Sequence, residues 1–313
     1  MIAYTCPYVP AEWIAAHGLR PRRLIPLPVE GVLTIPRLEG LCPYARAFVN
    51  DVAASNDVAG VVVTTMCDQM RRVFELLVRT VCTPAFLLNV PSTWQTVAAQ
   101  RLYLDELKRL GRFLVRLGGR DPAREELTRV MVDSVGWVLN PRVLPTDTSL
   151  TRGLRTHPTR AAHHPPEEVP LALVGGPLMQ RDRILFEIVE DCGGRIVLDA
   201  TETGQRGLPG PFDRRRLAED PLLELAEVYF RIPDASRRPN SELYRWLQEE
   251  LARAGARGLL FHHYVWCDKW RAEFSRLKEW VKMPVLRLDS EGEGDIDVIR
   301  IRNRVRAFLE TFA

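Results

Sequence analysis

Short apolar segments alternate with longer amphipathic segments along the chain. In the first half the apolar segments cover residues 23–27, 60–65 and 85–90, and the middle one is apolar without alternation. Strands that are buried on both faces of a parallel sheet have such uninterrupted apolar runs. Residues 69–79 and 97–117 carry apolar side chains at helical spacing instead, so the pattern predicts strands and helices in turn.

The same alternation restarts in the second half. The predicted strands cover residues 171–175, 195–199, 258–261 and 285–288, and the predicted helices cover 181–191, 221–230, 241–254, 267–281 and 297–312. Strands that alternate with helices are typical of α/β proteins with parallel sheets. We therefore predict two doubly wound, mostly parallel-sheet α/β lobes.

Between the two halves the pattern stops. Residues 145–170 hold five prolines and three of the six histidines, without sustained periodicity. Prolines at this density mark loops and connections. We predict an N-terminal lobe over residues 1–150, a proline-rich connection over 151–167 and a C-terminal lobe over 168–313.

The composition is that of an ordinary globular protein. The 313 residues carry a net charge of +3, and the basic residues are scattered, which does not favour a nucleic-acid partner. The sequence has no apolar stretch long enough to span a membrane, and its first residues lack the features of a secretory signal. We therefore expect a cytoplasmic protein whose six cysteines stay reduced.

Two cysteines occupy matching positions in this pattern. In each half an apolar strand leads into a short connection, a Cys-Asp pair and an amphipathic helix, and the pairs are Cys67-Asp68 and Cys267-Asp268. Both pairs follow the carboxyl end of a predicted parallel strand, where open α/β sheets bind ligands. A helix N-terminus also favours the thiolate, which is the form that binds metals. Cys67 and Cys267 are therefore candidate ligands.

The other cysteines divide into two groups. Cys42 and Cys6 also lie between a loop and a predicted helix, whereas Cys82 and Cys192 do not, and we interpret the latter two as core or surface thiols. Burial remains an alternative explanation for each cysteine, because free cysteines are among the most buried residues. The sequence has no Cys-x-x-Cys, Cys-x-x-His or His-Glu-x-x-His pattern, so common zinc and thioredoxin-like sites are not supported.

Short motifs carry a family resemblance over nearly the whole chain. They include Thr64-Thr65-Met66-Cys67-Asp68 and Trp266-Cys267-Asp268, and the others cover residues 4–12, 15–21, 41–43, 71–72, 88–91, 174–177, 190–197 and 301–310. Each motif is short, but their ordered combination is specific. The chain resembles a subunit of the 2-hydroxyacyl-CoA dehydratase and benzoyl-CoA reductase family.

This resemblance implies an iron–sulfur site. Subunits of the family hold a [4Fe-4S] cluster with three cysteine thiolates between two α/β lobes, and the matching positions are Cys42, Cys67 and Cys267, with Cys6 as a weaker candidate. A branch with a double-cubane cluster has further cysteines in ranges that match 199–204 and 230–235 here, where this chain has none. We therefore expect a single cluster with one iron open to water or substrate oxygen.

The resemblance also implies an activity and partners. In the family's enzymes a dimer of related subunits receives an electron from an ATP-dependent iron–sulfur activator protein. A ketyl-type radical of the CoA thioester then drives dehydration, or an aromatic ring is reduced. We expect a lyase or reductase subunit with an acyl-CoA substrate, whose partners are a sister subunit (or a second copy of this chain) and the activator, with neither nucleic acid nor membrane.

Histidines and aspartates near the cysteines are further candidates. His262 and His263 precede Cys267, and either could face the cleft between the lobes and transfer protons, because histidine titrates near neutrality. Packed or solvated histidines are the alternative. Asp68 and Asp268 could cap their helices or orient the ligands from behind.

Arginines and a tryptophan complete the candidate residues. Arg46, Arg71 and Arg72 could bind the phosphates of CoA, since guanidinium pairs well with phosphate, although solvated helix faces explain them too. Trp266 could shield a cluster from water, with ordinary packing as the alternative.

Three functions remain open at this point. The chain could be a catalytic subunit that acts on an acyl-CoA, a non-catalytic partner that completes a dimer or relays electrons, or a related protein that has lost its cluster. Cysteine at all three expected ligand positions favours cluster binding over its loss. Sister subunits of such dimers share fold and ligands, so the sequence does not separate catalysis from partnership.

Overall fold

Strands and helices alternate in the first half of the computed structural model, which describes residues 1–28, 40–139, 168–291 and 294–312. The first-half elements are β1 (Ile2–Tyr4), α1 (Ala11–Ala16), β2 (Pro21–Arg23), α2 (Pro43–Ala54), β3 (Gly60–Thr64), α3 (Asp68–Thr80), β4 (Ala85–Leu88), α4 (Val97–Arg116) and α5 (Arg124–Leu139). The strands form one sheet in the order β2-β1-β3-β4.

The second half repeats this arrangement. Its elements are β5 (Val169–Gly175), α6 (Ile184–Asp191), β6 (Gly194–Ala200), α7 (Arg214–Glu219), α8 (Pro221–Phe230), α9 (Ser241–Ala254), β7 (Gly258–Tyr264), α10 (Asp268–Trp280), β8 (Val285–Ser290) and α11 (Gly294–Leu309). The sheet order is β6-β5-β7-β8, and every strand pair in both sheets is parallel. The prediction of two α/β lobes with mostly parallel sheets is therefore confirmed. The proposed connection over 151–167 lies outside the described residues.

The third strand of each lobe explains the uninterrupted apolar runs. Strands β3 and β7 each pair with a neighbour on both sides, and all of their residues are buried. Helices α3 and α10 follow these strands and bury residues at identical spacing, namely Met70, Val73 and Leu77 in α3 and Trp270, Glu273 and Leu277 in α10. The internal similarity of the sequence is thus a similarity of structural units.

Two strands near the chain start differ from the prediction. Strand β1 was not predicted, because three residues are too few to display a period. Residues 23–27 were predicted as a strand, but β2 covers Pro21–Arg23 and ends where that range begins. Most other elements agree within a few residues, and helices α8 and α9 have the predicted bounds.

Helix α8 belongs to the second half of the chain but packs on the first lobe. Its Tyr229 and Phe230 join the apolar cluster built around α1 and α4, and the ring of Phe230 stacks on Tyr103 at 5.0 Å. The hydroxyl of Tyr229 donates a hydrogen bond of 2.6 Å to the buried carboxylate of Glu12, which also accepts from Ser134 at 3.0 Å. The two halves are therefore interleaved, and α8 completes the core of the first lobe.

A helix that spans a membrane must be both long and apolar. Among the described residues, none of the helices combines these two properties.

Candidate functional site

Cys67 lies at the carboxyl end of the buried strand β3. It is the N-cap residue of α3, and its carbonyl accepts the first helical hydrogen bonds, from Met70 at 3.0 Å and Arg71 at 3.2 Å. The short connection after β3 thus places a thiol at the positive end of a helix, where negative charge is stabilised. Cys67 occupies the position predicted from the sequence.

Cys267 occupies the equivalent position after β7. It is the N-cap residue of α10, and its N–H donates to the carbonyl of Tyr264 at 3.1 Å. The turn holds Trp266 at φ +66°, in the left-handed region that bulky residues rarely adopt, and leaves it 62% exposed. The suggestion that Trp266 is an ordinary packing residue is therefore wrong.

Cys42 reaches the same region from a different element. It is the N-cap residue of α2, and its sulfur accepts a hydrogen bond from the N–H of Ala45 at 3.4 Å. The N–H of Cys42 donates to Oε1 of Gln69 at 3.0 Å, and Gln69 is the second residue of α3. This bond joins the loop of Cys42 to that of Cys67.

The structure brings these three cysteines together. All three pack against one apolar cluster, which lies mainly in the first lobe and is completed by Met179 and Tyr264 of the second half. Burial raises the pKa of each thiol, to about 12 for Cys267. Cys67 and Cys267 raise the pKa of Cys42 further, and Cys67 raises that of Cys267. Thiols influence one another in this way only when they are close.

The three side chains are thiols, which as thiolates are the usual ligands of iron–sulfur clusters. Within the described ranges, no three His, Cys, Asp or Glu side chains have the geometry to hold one metal ion. Because burial raises all three thiol pKa values, the positive charge of iron would be needed to hold them as thiolates at neutral pH.

Cys6 lies beside this group but in the other apolar cluster of the first lobe. Burial raises its pKa to about 12, Glu202 raises it further, and a hydrogen bond with the side chain of Thr64 lowers it. Cys6 therefore packs in a different apolar cluster from the other three cysteines, although Lys269 and Glu202 act on its pKa as they do on those of Cys67 and Cys267.

The two remaining cysteines lie away from the carboxyl ends of the strands. Cys82 is exposed in the loop that precedes β4, and Cys192 follows α6 and leads into β6. Both positions are at the amino ends of strands, opposite the edge where Cys67 and Cys267 lie. They provide matched controls for experiments on the site.

A buried charge network borders the cysteines. Nζ of Lys269 lies 3.1 Å from Oε2 of Glu202 and 3.2 Å from both carboxylate oxygens of Asp234. Nη1 of Arg206 donates to Asp234 at 3.0 Å. Burial raises the pKa of Asp234, but Lys269 and Arg206 lower it below its usual value. Burial lowers the pKa of Lys269, but Asp234 and Glu202 raise it above its usual value. Asp234 and Lys269 are therefore charged near neutral pH.

The two candidate histidines have different surroundings. His263 is buried, its Nδ1 lies 3.0 Å from the carbonyl of Tyr264, and its Nε2 accepts from Nε of Arg287 at 2.9 Å. Burial lowers the pKa of His263, which keeps the ring neutral. His262 is also buried, and its ring meets that of Tyr264 edge-on at 5.0 Å. Successive strand residues point to opposite faces, so the two rings face different sides of β7.

The aspartates do not cap their helices. The N-cap residues of α3 and α10 are Cys67 and Cys267, and Asp68 and Asp268 are the first helical residues and are exposed. The side chain of Asp68 is 95% exposed and pairs with Nε of Arg71 at 3.6 Å. The suggestion that these aspartates cap the helices is therefore wrong.

The arginines hold the cysteine loops. Nε of Arg71 donates to the carbonyl of Thr65 at 3.2 Å, and Nη1 of Arg72 donates to that of Gly40 at 3.0 Å. Arg46 lies half-buried on α2. Arg71 and Arg72 thus bind the backbone two residues before Cys67 and two residues before Cys42, respectively, which is a role that the sequence did not indicate.

Sequence reasoning missed the charge network. Lys269 was visible two residues after Cys267, but its partners Glu202 and Asp234 are 67 and 35 residues away along the chain. Both partners lie in the ranges 199–204 and 230–235, which the family resemblance marks for cysteines and not for charges. Their carboxylates are visible in the sequence, but nothing in it pairs them with Lys269.

A groove of about 900 Å³ lies elsewhere, along the open edge of β4. Phe86 and Phe113 line it, together with Arg109, Arg112 and Arg116 of α4. None of the cysteines lines it in the part of the chain that the structure describes.

Comparisons with known proteins identify the family. A search of the curated proteins found no match. One solved structure, of the SBP FpvC from Pseudomonas aeruginosa in complex with Mn²⁺, aligns with 99% of this chain and 98% of its own. The identity is 14% and the TM-score is 0.27, too low to support an argument.

The family match covers both lobes. The sequence matches 2-hydroxyglutaryl-CoA dehydratase, D-component, over residues 6–135 and 147–312. These ranges include Cys6, Cys42, Cys67 and Cys267. The resemblance found from the sequence is thereby confirmed, and the chain belongs to the 2-hydroxyglutaryl-CoA dehydratase D-component family.

Proposed function

We propose that the chain is the [4Fe-4S] cluster-bearing subunit of an enzyme like 2-hydroxyacyl-CoA dehydratase or benzoyl-CoA reductase. The reaction is the radical dehydration or reduction of an acyl-CoA thioester. The observation that carries the proposal is that Cys42, Cys67 and Cys267 share one apolar cluster and shift one another's pKa. Membership of a dehydratase family supports the reaction class.

In this proposal Cys42, Cys67 and Cys267 are the cluster ligands. When bound, a [4Fe-4S] cluster with three protein ligands supplies single-electron chemistry at an iron open to a substrate oxygen. The apolar cluster beneath the thiols excludes water from one side. The N–H groups at the start of α2, α3 and α10 stabilise the thiolate charge.

The surroundings of Cys6 favour catalysis over electron relay. A cluster used only for electron transfer is typically closed by four cysteines, whereas Cys6 packs in a different apolar cluster. His262 and His263 are the candidates for proton transfer. Both ring nitrogens of His263 have partners, and burial lowers its pKa.

The proposal includes partners and a location. A sister subunit, or a second copy of this chain, completes the enzyme, and an ATP-dependent iron–sulfur activator supplies electrons. The substrate is an acyl-CoA. The cytoplasm is the expected location, because thiols stay reduced there. Family membership supports the partner subunit and the activator in general form.

The test is anaerobic reconstitution of the full chain with iron and sulfide. We expect the visible absorbance of an iron–sulfur cluster and close to four irons per chain. Cys67→Ser should lose most of the absorbance, iron and sulfide, whereas Cys82→Ser and Cys192→Ser should keep all three. Circular dichroism of each variant checks that the fold is intact.

The remaining variants separate the alternatives. Cys6→Ser should keep the cluster, and the spectrum of the wild-type cluster should change when acyl-CoA is added. If Cys6→Ser loses the cluster and acyl-CoA has no effect, the chain is an electron-relay or partner subunit. A Cys67→Ser variant with full iron and sulfide contents would overturn the ligand assignment.

A further inference from the structure

We propose that the fixed positive charge of Lys269 raises the reduction potential of the cluster. This inference rests on the proposed function. The ammonium group of Lys269, fixed against the cysteine loops by Glu202 and Asp234, stabilises the reduced state. The carboxylate of Glu202 acts in the opposite direction and lowers the potential. The potential therefore depends on both charges.

The position of Lys269 follows from the fold. It is the second residue of α10, so the backbone that places Cys267 also places Lys269. Its side chain is only 13% exposed and is held by two carboxylates at 3.1 and 3.2 Å. A lysine with three close carboxylate contacts cannot swing to solvent without leaving Asp234 buried and less paired.

The remaining bonds of the network are directed away from Lys269. Arg206 donates to the carbonyls of Gly175, Ala200 and Pro233 at 2.9 to 3.0 Å, and it also donates to Asp234. Its guanidinium lies 4.9 Å from the centre of the Trp270 ring. Arg206 therefore anchors Asp234, and Asp234 and Glu202 in turn hold Lys269.

The network also contacts the cysteine loops. Oγ of Ser236 donates to Asp234 at 2.6 Å and lies 3.8 Å from Sδ of Met66, the residue before Cys67. Lys269 follows Cys267 by two residues, and Glu202 lies 3.1 Å from its ammonium group. Both charges therefore lie beside the loops that hold these two thiols, and their opposite signs are the basis of the test.

Elementary electrostatics gives the direction of each effect. Three thiolates make the cluster negatively charged overall, and reduction by one electron adds another negative charge. A nearby fixed cation stabilises the reduced state more than the oxidised state, and a nearby carboxylate does the reverse. Burial strengthens both effects, because the interior screens charges less than water does.

The experiment is a reductive titration of the reconstituted full chain with dithionite, followed by electron paramagnetic resonance. Each equivalent transfers one electron from the reductant to the cluster. Lys269→Met should lower the midpoint potential and Glu202→Gln should raise it. We expect at least a tenfold change in the equilibrium constant for reduction in each case, about 59 mV for a one-electron couple.

Two further variants serve as controls. Lys269→Arg keeps the positive charge and should restore most of the wild-type potential. Lys282→Met removes an exposed lysine outside the network and should leave the potential unchanged. Iron and sulfide contents are measured for every variant, so that incomplete loading is not mistaken for a shift.

The outcomes separate this inference from the proposed function. A wild-type chain that binds no cluster rejects the proposed function and, with it, this inference. The inference alone is overturned if the wild type binds the cluster but the equilibrium constant for its reduction changes less than threefold in both variants. A change of the potential in the same direction in both variants overturns it as well. If Lys269→Met does not fold, Glu202→Gln decides, because its potential must rise.

Discussion

The loops of Cys67 and Cys267 occupy the same place in two similar lobes but use different chemistry. Each cysteine follows the third strand of its sheet, caps a helix and is followed by an aspartate. The next residue differs. In the first lobe it is Gln69, which accepts a neutral hydrogen bond from Cys42, and in the second it is Lys269, which binds two carboxylates.

This difference shows how one structural unit serves two roles. The neutral residue links one cysteine loop to another and so gathers thiols. The charged residue links a cysteine loop to a buried ion network and so brings charge to the thiols. The residues before the cysteines differ too, since Met66 is buried and Trp266 is exposed. The following predictions test this comparison.

The largest effect is expected from Arg206→Met. This buried arginine ties Asp234 to three backbone carbonyls of the second lobe, and its loss leaves a buried carboxylate with less compensation. We expect the free energy of unfolding to fall by about 3–5 kcal/mol in urea titrations. Arg253→Met, which removes an exposed arginine on α9, should change it by less than about 0.5 kcal/mol. Equal effects would mean that the network is not structural.

Leu77→Ala and Leu277→Ala test the equivalence of α3 and α10. Each leucine is fully buried at the same distance from its cysteine along the helix. Each substitution should cost about 3 kcal/mol through lost burial and a cavity. The exposed Val78 provides the control, since Val78→Ala should have little effect. A difference of more than about 2 kcal/mol between the two leucines would break the equivalence.

A smaller, pH-dependent effect is expected from Glu12. Its carboxylate is buried in the first lobe, where Tyr229 of α8 donates a hydrogen bond to it. Burial raises its pKa, so its contribution to stability is complete below the usual glutamate pKa of about 4.3 and is lost as the pH rises through the raised value. The loss is about 1.4 kcal/mol for each pH unit between the two values.

The Glu12→Gln variant removes this pH dependence. Its free energy of unfolding relative to wild type should therefore rise with pH, measured by urea titration at several pH values. Glu249→Gln alters an exposed glutamate on α9 and should show no such trend. A constant difference between Glu12→Gln and wild type would show that Glu12 is ionised in the folded protein.

The smallest effect is expected at Trp266, whose left-handed conformation its counterpart Met66 does not share. Asparagine tolerates the left-handed conformation, so Trp266→Asn should raise the free energy of unfolding by about 0.5–1 kcal/mol. Trp266→Phe keeps a bulky side chain in the same conformation and should give no gain. A loss of stability in Trp266→Asn would indicate that packing by the indole outweighs the strain.

The sequence predicted what depends on local pattern. The run of apolar residues in β3 and the cysteine before α3 lie within one short stretch, and the same holds for β7 and α10, so the two units could be recognised and aligned. Strand β1 could not be, because its three residues carry no period and gain their place only by pairing with β2 and β3.

The site was predictable in part for the same reason. Cysteine type and helix-start position marked the candidate thiols, and the family resemblance selected Cys42 among the others. The partners of Lys269 come from distant loops and meet only in the folded chain. The left-handed conformation of Trp266 was not visible either, because no glycine or asparagine marks the turn.

The packing of α8 on the first lobe has a consequence for synthesis of the protein. When the ribosome has made β4 and α5, all four strands of the first sheet exist, but the apolar surface that receives Leu225 and Phe230 is still uncovered. About 90 further residues must emerge before α8 can cover it, several seconds at usual translation rates of roughly 5–20 residues per second. During that time the nascent first lobe exposes this apolar surface, to which a chaperone could bind. Slow translation at this stage would favour aggregation most.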